Sequence, residues 1–406
     1  MTSTNALNNH RYTLFSGSTG LLGSYLLRDL LLENLPLAVI VRPGRKQSAD
    51  ERVAALVADW EKVVGRELPR PVVFAGDLTQ PDCGLNADAR RWISENCDQV
   101  LNNAASLSFR NADREGEPWR TNVNGTRSLI DLARTVGIRH MHHVSTAYVC
   151  GIRSGRVLEN ELEVGQEFGN DYELSKVEAE NMVRRADCFD TTTIYRPSII
   201  VGDSQTGYTS TYHGFFAALR IGHTLLTRVA IGATSGRALL KLLGIDPDAS
   251  KNFVPVDWVA AVIARGVQSL EARGSTFHVT HPNPLPMSFV AEVVQEAVES
   301  YSIAATPDDP DLCDEEWFAE NMRTQLDVYQ RYFRNDPVFD TTQMRSIAGD
   351  IPCPTLDEDS LMRMSKFAIS HDFGKYPPSL IPAEAEGTEP AESTEPASSA
   401  AGSGSA

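Results

Sequence analysis

Several things are scarce in this chain of 406 residues, and each scarcity closes off a class of function. Its six cysteines, at 83, 97, 150, 188, 313 and 353, form no C-x-x-C pair. They offer neither a zinc site nor a disulfide framework, so reduced thiols are expected. Positive charge is short: 37 Lys and Arg face 54 Asp and Glu, for a net charge of −17. Nucleic-acid binding needs a basic footprint, so no nucleic-acid partner is expected. Long hydrophobic runs are missing too. The stretch 30–41 is interrupted by Glu33, Asn34 and Pro36, and nothing reaches the roughly 20 apolar residues of a membrane span. Residues 1–11 are polar and carry no apolar signal-peptide core, so a cytoplasmic protein is expected. No internal repeat is visible. His140 and His142 fall on one face of a strand, but no carboxylate or cysteine is spaced to complete a metal site, and no metal is expected.

What is present is ordinary globular material, 42% hydrophobic and 22% charged, enough for one large or two modest domains. Over the first two hundred residues, short apolar runs alternate with helical patterns. Strands are predicted at 12–16, 37–41, 72–75, 99–103, 141–145 and 192–196. Helices are predicted at 21–33, 50–64, 87–95, 118–136 and 172–186. This alternation predicts an α/β fold with a doubly wound, Rossmann-type parallel sheet whose strand C-termini share the ligand-binding edge. After Arg196 the rhythm changes. Helices at 212–226, 237–243, 258–269, 289–301, 315–333 and 360–369 and strands at 253–256 and 276–280 suggest a smaller, mixed α/β lid. The expected division is a cofactor domain at 11–205 and a substrate lid at 206–376, with cofactor-domain strands interleaved near 253–280. From Pro382 only Pro, Glu, Ser, Thr, Ala and Gly occur. Such a composition cannot bury enough apolar surface to order itself, and a disordered acidic tail is expected over 377–406.

The first strand runs into Gly17-Ser18-Thr19-Gly20-Leu21-Leu22-Gly23 and then an apolar helix. A glycine turn between strand and helix N-terminus is a phosphate cradle. Gly17 permits the turn, Gly20 lets a pyrophosphate approach the backbone, and Gly23 lets helix pack on strand. NAD-binding chains usually carry an acidic residue after the second strand, to hold the ribose diol. Here that position is Arg42, which can bind a 2′-phosphate, so NADP is expected, with Arg45 and Arg52 as nearby helpers. Asp77 and Leu78 follow the third strand, where they can meet the adenine. Asn103, Ala104 and Ala105 follow the fourth, where small residues let the backbone run close to a cofactor. Asn102, Asn103 and Asn122, taken singly, read as structural polar contacts of a turn or helix.

Tyr172 and Lys176 lie one helical turn apart and share a face. A phenol with its ordinary pKa near 10 is a poor acid or base at pH 7, and a neighbouring ammonium would lower it. The lysine can also bond a nicotinamide ribose. Upstream, Ser145 and Thr146 close the fifth strand, and the Thr146 hydroxyl can orient a substrate carbonyl.

These motifs together resemble the extended short-chain dehydrogenase/reductase family. They are the glycine loop at 16–23, Asp77-Leu78, Asn103-Ala104-Ala105, Ser145-Thr146, Tyr172-x-x-x-Lys176 and Arg196-Pro197 with Gly202. The resemblance covers about residues 11–300. It implies catalytic roles for Thr146, Tyr172 and Lys176 and a nicotinamide-side position for Pro197. Within that family the chain is most similar to the thioester reductase-like branch, called male-sterility or fatty acyl-CoA reductase-like. The likeness rests on the insert 46–71, the stretch 74–81 with Gly84-Leu85, Trp92, and Val254-Pro255-Val256-Asp257-Trp258. That branch reduces acyl thioesters, on a carrier arm or coenzyme A, to aldehydes or alcohols with NADPH. It implies 2′-phosphate contacts from Arg42 and Arg52, and moves Arg52 ahead of Arg45. It also implies that the substrate follows the nicotinamide loop, near Tyr208, Tyr212 and His213. Two departures stand out: no adenylation or carrier domain is attached, so a thioester is expected to come from elsewhere, with an acyl carrier protein as one expected partner; and Asn103 stands where relatives often place His. A sugar-nucleotide epimerase or dehydratase, a hydroxysteroid-type dehydrogenase and a non-catalytic NADP-binding scaffold are the competing readings.

Overall fold

The computed structural model of the chain describes residues 11–109, 113–228, 240, 245–303, 334–376 and 380. Seven parallel strands form the main sheet: β1 (Tyr12–Ser16), β2 (Leu37–Val41), β3 (Val72–Ala75), β4 (Cys97–Asn102), β5 (His140–Val144), β6 (Thr191–Pro197) and, from much later in the chain, a strand at Thr276–Val279. Between the early strands run α1 (Leu21–Leu32), α2 (Ala49–Val64), α3 (Ala87–Asn96), α4 (Thr126–Val136) and α5 (Asp171–Arg185). Reading across the sheet from β3, the order is β3-β2-β1-β4-β5-β6 and then Thr276–Val279. The order reverses direction between β1 and β4, which opens a crevice at their C-terminal ends.

Alternation along the strands explains why both faces are covered. On β1, Leu14 joins the core beneath α3 and α4, with Ile93, Leu129 and Ala133. Its neighbour Phe15 points the other way, into a core with Leu26, Leu30, Val53 and Val57 of α1 and α2. β2 is buried at all five positions, as a strand covered on both faces must be. Helix ends follow local chemistry. Ser48 and Glu51 form a reciprocal capping box at the start of α2, and Gly65 ends that helix at φ +70°.

The second half forms β7 (Ile199–Val201), α6 (Phe215–Arg228), β8 (Phe253–Pro255), α7 (Val256–Gln268), β9 (Thr276–Val279), α8 (Met287–Tyr301), α9 (Thr342–Ala348) and α10 (Glu358–Ser370). β7 and β8 pair in parallel, away from the main sheet. α7 then returns to pack on α1, and β9 adds to β6. A separate apolar core joins α6, α8 and α10 through Phe216, Leu219, Val290, Val294, Leu361 and Met364.

Some boundaries differ from the sequence expectation. The helix predicted from 118 begins as a π-helical turn at Arg120–Gly125, and α4 proper starts at Thr126. The helix predicted from 212 starts at Phe215, because Gly214 at φ +57° breaks the chain direction just before it. The predicted helices at 237–243 (Leu240 apart) and 315–333 lie outside the described residues, as does most of the predicted tail. Leu380, inside that tail prediction, is instead buried with the core beneath α1 and α2. Among the described residues no helix is long and apolar enough to cross a membrane.

Candidate active site

A cleft of about 650 Å³ opens at the C-terminal edge of the sheet, across the β1/β4 reversal. Of the sequence-predicted site residues, Gly17, Thr19, Gly20, Leu21, Leu22, Arg42, Arg52, Asp77, Leu78, Asn103, Ala104, Ala105, Thr146, Tyr172, Lys176 and Pro197 line it. Ser18 and Gly23 do not. Ser18 is buried, and Gly23 serves packing: a Cβ there would stand 1.9 Å from the Gly17 carbonyl oxygen. Gly17 sits at φ +80°, with the Ala104 amide nitrogen 2.6 Å from where its Cβ would be. The β1 and β4 loops thus touch backbone to backbone. The Asn103 side chain donates to the Gly17 carbonyl oxygen at 3.2 Å and its amide to that of Ser16 at 3.1 Å, closing the floor. Gly20 differs. Its nearest protein neighbour would be the Gly17 oxygen at 3.7 Å, and it faces the cleft. Nothing in the protein requires glycine there, whereas a pyrophosphate lying on the backbone would. The loop therefore fits a dinucleotide.

At the far end, Arg52 donates to the Arg42 carbonyl oxygen and, at 3.1 Å, to the Thr19 hydroxyl. It staples the end of β2 to the glycine loop and leaves the Arg42 guanidinium exposed beside it. Arg45 does not line the cleft. Burial pulls the Asp77 carboxyl upward, but the Thr79 amide and hydroxyl, with Arg42 and Arg120 nearby, hold it below the usual range.

The catalytic candidates meet midway. β5 ends at Val144, so Ser145 and Thr146 emerge at the sheet edge. Asn170 caps α5, its side chain accepting from the Glu173 amide, which aims the first turn at the cleft. The Thr146 hydroxyl accepts from the Tyr148 amide at 3.3 Å, donates to the Pro197 carbonyl oxygen at 3.4 Å and lies beside the Tyr172 phenol. Lys176 is buried and donates to the Val144 carbonyl oxygen at 2.8 Å. Burial lowers its ammonium to about 8, with Glu180 pulling back upward. The expectation that Lys176 depresses the Tyr172 phenol is not met in this geometry. Burial pushes the Tyr172 phenol's pKa up, and the neighbouring Thr146 hydroxyl opposes that rise.

Beneath Lys176, Glu180 and Arg196 form a fully buried, two-pronged ion pair at 2.6 and 3.1 Å. Burial alone would raise the Glu180 carboxyl; Arg196 and Arg184 bring it to about 2. Arg196 also donates to the carbonyl oxygens of Glu159 and Glu161, so α5, β6 and the 159–161 segment lock together. Asn102 and Asn122 are structural, as read. Asn122 donates to Ser175 at 2.9 Å and exchanges bonds with the Ser106 backbone. His142 and His143 are buried and held neutral, their pKa values lowered to about 3 by burial. Among the described residues no group of three metal-ligating side chains assembles.

The sequence reading missed part of the wall. Phe109, Arg120, Ser145 and Tyr148 line the cleft. The Phe109 ring stands edge-on to Tyr172, centroids 5.5 Å apart, and to His213 at 6.0 Å. Arg120 could have been suspected only from knowing that a π-turn presents it. Of the three residues placed near the substrate, His213 lines the cleft; Tyr208 packs in the core with Tyr25, and Tyr212 against Phe216.

Residues 15–263 match the model of an NAD-binding family described as male sterility protein. Among curated proteins, the chain is 27% identical over 307 residues to a non-reducing polyketide synthase, pkiA, of Emericella nidulans, covering 73% of this chain and 11% of that protein. It is 27% identical over 278 residues to the fatty acyl-CoA reductase wat of Drosophila melanogaster, covering 60% of this chain and 51% of that one. The chain thus spans a small part to about half of these relatives. Among solved structures, the terminal R domain from the myxalamid PKS-NRPS biosynthetic pathway superposes with a TM-score of 0.67. The sequences are 23% identical, and the match covers 92% of this chain and 94% of that one. The extended short-chain dehydrogenase/reductase fold is thereby shared.

Proposed function

The chain belongs to the male sterility protein family, and from that premise we propose that it is an NADPH-dependent reductase of acyl thioesters, forming an aldehyde or alcohol. One observation carries the chemistry: Thr146, Tyr172 and Lys176 converge in a cleft whose other end bears the glycine loop, Arg42 and Arg52. The relatives' names, a fatty acyl-CoA reductase and a polyketide synthase, support an acyl substrate carried on coenzyme A or on the arm of a carrier protein. They do not favour the epimerase, steroid-dehydrogenase or scaffold readings.

Gly17 and Gly20 would cradle the pyrophosphate, Asp77 and Leu78 would border the adenine, and Arg42 would take the 2′-phosphate while Arg52 braces it. Asn103, Ala104, Ala105 and Pro197 form the floor and roof near the nicotinamide. When bound, NADPH supplies the hydride for the acyl carbon. The Thr146 hydroxyl and Tyr172 phenol both aim at the carbonyl oxygen, stabilise the negative charge that builds there and bar water from that side. Tyr172 delivers the proton, and the Lys176 ammonium, held at the Val144 oxygen, would be in reach of the nicotinamide ribose and would keep the phenol able to give it. The hemithioacetal so formed breaks down when its hydroxyl proton returns to the Tyr172 phenolate, the C–S bond breaks and the thiolate leaves to be protonated by solvent, which gives the aldehyde; a second NADPH and a second proton through Tyr172 would give the alcohol.

Product mass spectrometry with NADPH and a panel of acyl thioesters tests this reading. Aldehyde or alcohol should form, and Tyr172→Phe should stop it. Turnover of sugar nucleotides with none of any thioester overturns it.

A further inference from the structure

Tyr148 holds a position that neither the cofactor site nor the proton path explains. It follows Thr146 by two residues, and its amide donates to the Thr146 hydroxyl. Its ring lines the cleft yet is only 7% exposed. The rest of the ring belongs to the apolar lid core, with Ile199, Val201, Phe215 and Phe253. The ring is thus the partition between the reacting end of the cleft and an apolar interior.

The partition is held in place from outside. The Tyr148 hydroxyl donates to Asp336 at 2.8 Å. That carboxylate, itself buried, is paired with Lys251 at 2.7 Å and accepts the Asn252 amide at 2.7 Å. Phe339 stands edge-on to the ring at 6.2 Å, and the Lys251 ammonium lies 5.3 Å from its centroid. A buried, charge-assisted bond at one end and packing on its sides deny the ring alternative rotamers. Such a ring is a fixed stop, not a swinging gate.

Resting on the acyl-reductase reading, we propose that Tyr148 sets the length of acyl chain the cleft accepts, making the protein selective for short acyl groups. A carbonyl held at Thr146 and Tyr172 places the α-carbon and its neighbours against this ring. Chains that end there bury their methylenes. Longer ones must displace a ring that Asp336 holds. Removing the ring would open a space walled by its apolar neighbours Ile199, Val201, Phe215 and Phe253, with the Asp336–Lys251 pair at its far end, and further methylenes would pack against those apolar walls.

Non-reducible S-alkyl pantetheine thioethers of increasing length, titrated calorimetrically into the NADP⁺-loaded protein, test this. For the wild type, affinity should climb roughly fourfold per methylene to a cut-off and then fall. Tyr148→Ala should move the cut-off outward by several carbons, and Tyr148→Phe, which keeps the ring and its packing on Phe339 but loses the bond to Asp336, should soften the cut-off while moving it less. Tyr148→Leu serves if the alanine variant does not fold. An unchanged cut-off in a folded variant that still binds NADPH overturns the proposal, as does the absence of any length dependence in the wild type. These ligands carry no thioester carbonyl, so the outcome is independent of turnover. Failure of the acyl-reductase reading would show separately, as absent product from every thioester.

Discussion

The Lys176 ammonium donates its hydrogen bond to the carbonyl oxygen of Val144, the last residue of β5, and not to the phenol one helical turn before it. The Tyr172 phenol lies beside the Thr146 hydroxyl instead, so the two members of the motif face different strand-end partners. Both side chains are pinned to the edge of β5, which makes the strand end, more than the helix, the organiser of the site.

If the phenol is the proton donor, Tyr172→Phe should lower kcat by about 10²–10⁴-fold, the usual worth of a positioned acid. NADPH affinity should stay near wild type, since the ring is retained. Stopped-flow measurement of hydride transfer under saturating NADPH separates the two. An unchanged rate would move the proton to another group.

Lys176 titrates at about 8 in the fold against an ordinary 10.5. Between those values the unfolded chain holds more protons, so this group's contribution to stability rises with pH. Lys176→Met should remove that rise. The difference in urea midpoint between wild type and variant, measured at pH 7.5 and pH 10, should move in favour of the wild type at the higher pH. A difference independent of pH would contradict the depressed ammonium.

Glu180→Gln should destabilise the protein at pH 7 by about 3–5 kcal/mol, because Arg196 is left charged and buried. The Glu180 carboxyl is depressed, from 4.5 to about 2. Its contribution is therefore fully present above pH 4.5 and lost as pH falls through 2. The penalty should narrow across that window in chemical denaturation. A cost below about 1 kcal/mol would make the pair energetically neutral.

Arg42→Ala should weaken NADPH by about 10–100-fold, the worth of a charge-assisted bond to phosphate, while NADH binding barely changes. Arg52→Ala should weaken both, because Arg52 also anchors Thr19 of the glycine loop. Equal loss of NADPH and NADH in the Arg42 variant would remove the 2′-phosphate assignment.

The three glycines should part company. Gly23→Ala would drive a methyl to 1.9 Å from the Gly17 oxygen, so the thermal midpoint should fall sharply. Gly20→Ala meets nothing nearer than 3.7 Å and should fold normally while losing NADPH affinity. Retained affinity in the Gly20 variant would place the pyrophosphate elsewhere.

The sequence by itself determined what depends on neighbours in the chain. Strand periodicity located β1 through β6 within a residue or two, the glycine loop announced its own turn, and i, i+4 spacing put Tyr172 and Lys176 on one face. Arg42 could be judged from its place after β2. Tertiary structure alone decided the rest. Of the two late strands expected to return to the cofactor domain, Thr276–Val279 joins the main sheet while Phe253–Pro255 pairs with Ile199–Val201 instead, Arg52 reaches back 33 residues to Thr19, and Asp336 holds Tyr148 from 188 residues away. It also turned Lys176 towards Val144 and let burial raise the phenol that the motif led one to think was lowered. Local pattern encodes which face a side chain takes. What it meets there, and how much water is excluded from it, depends on the packing of segments far apart in sequence.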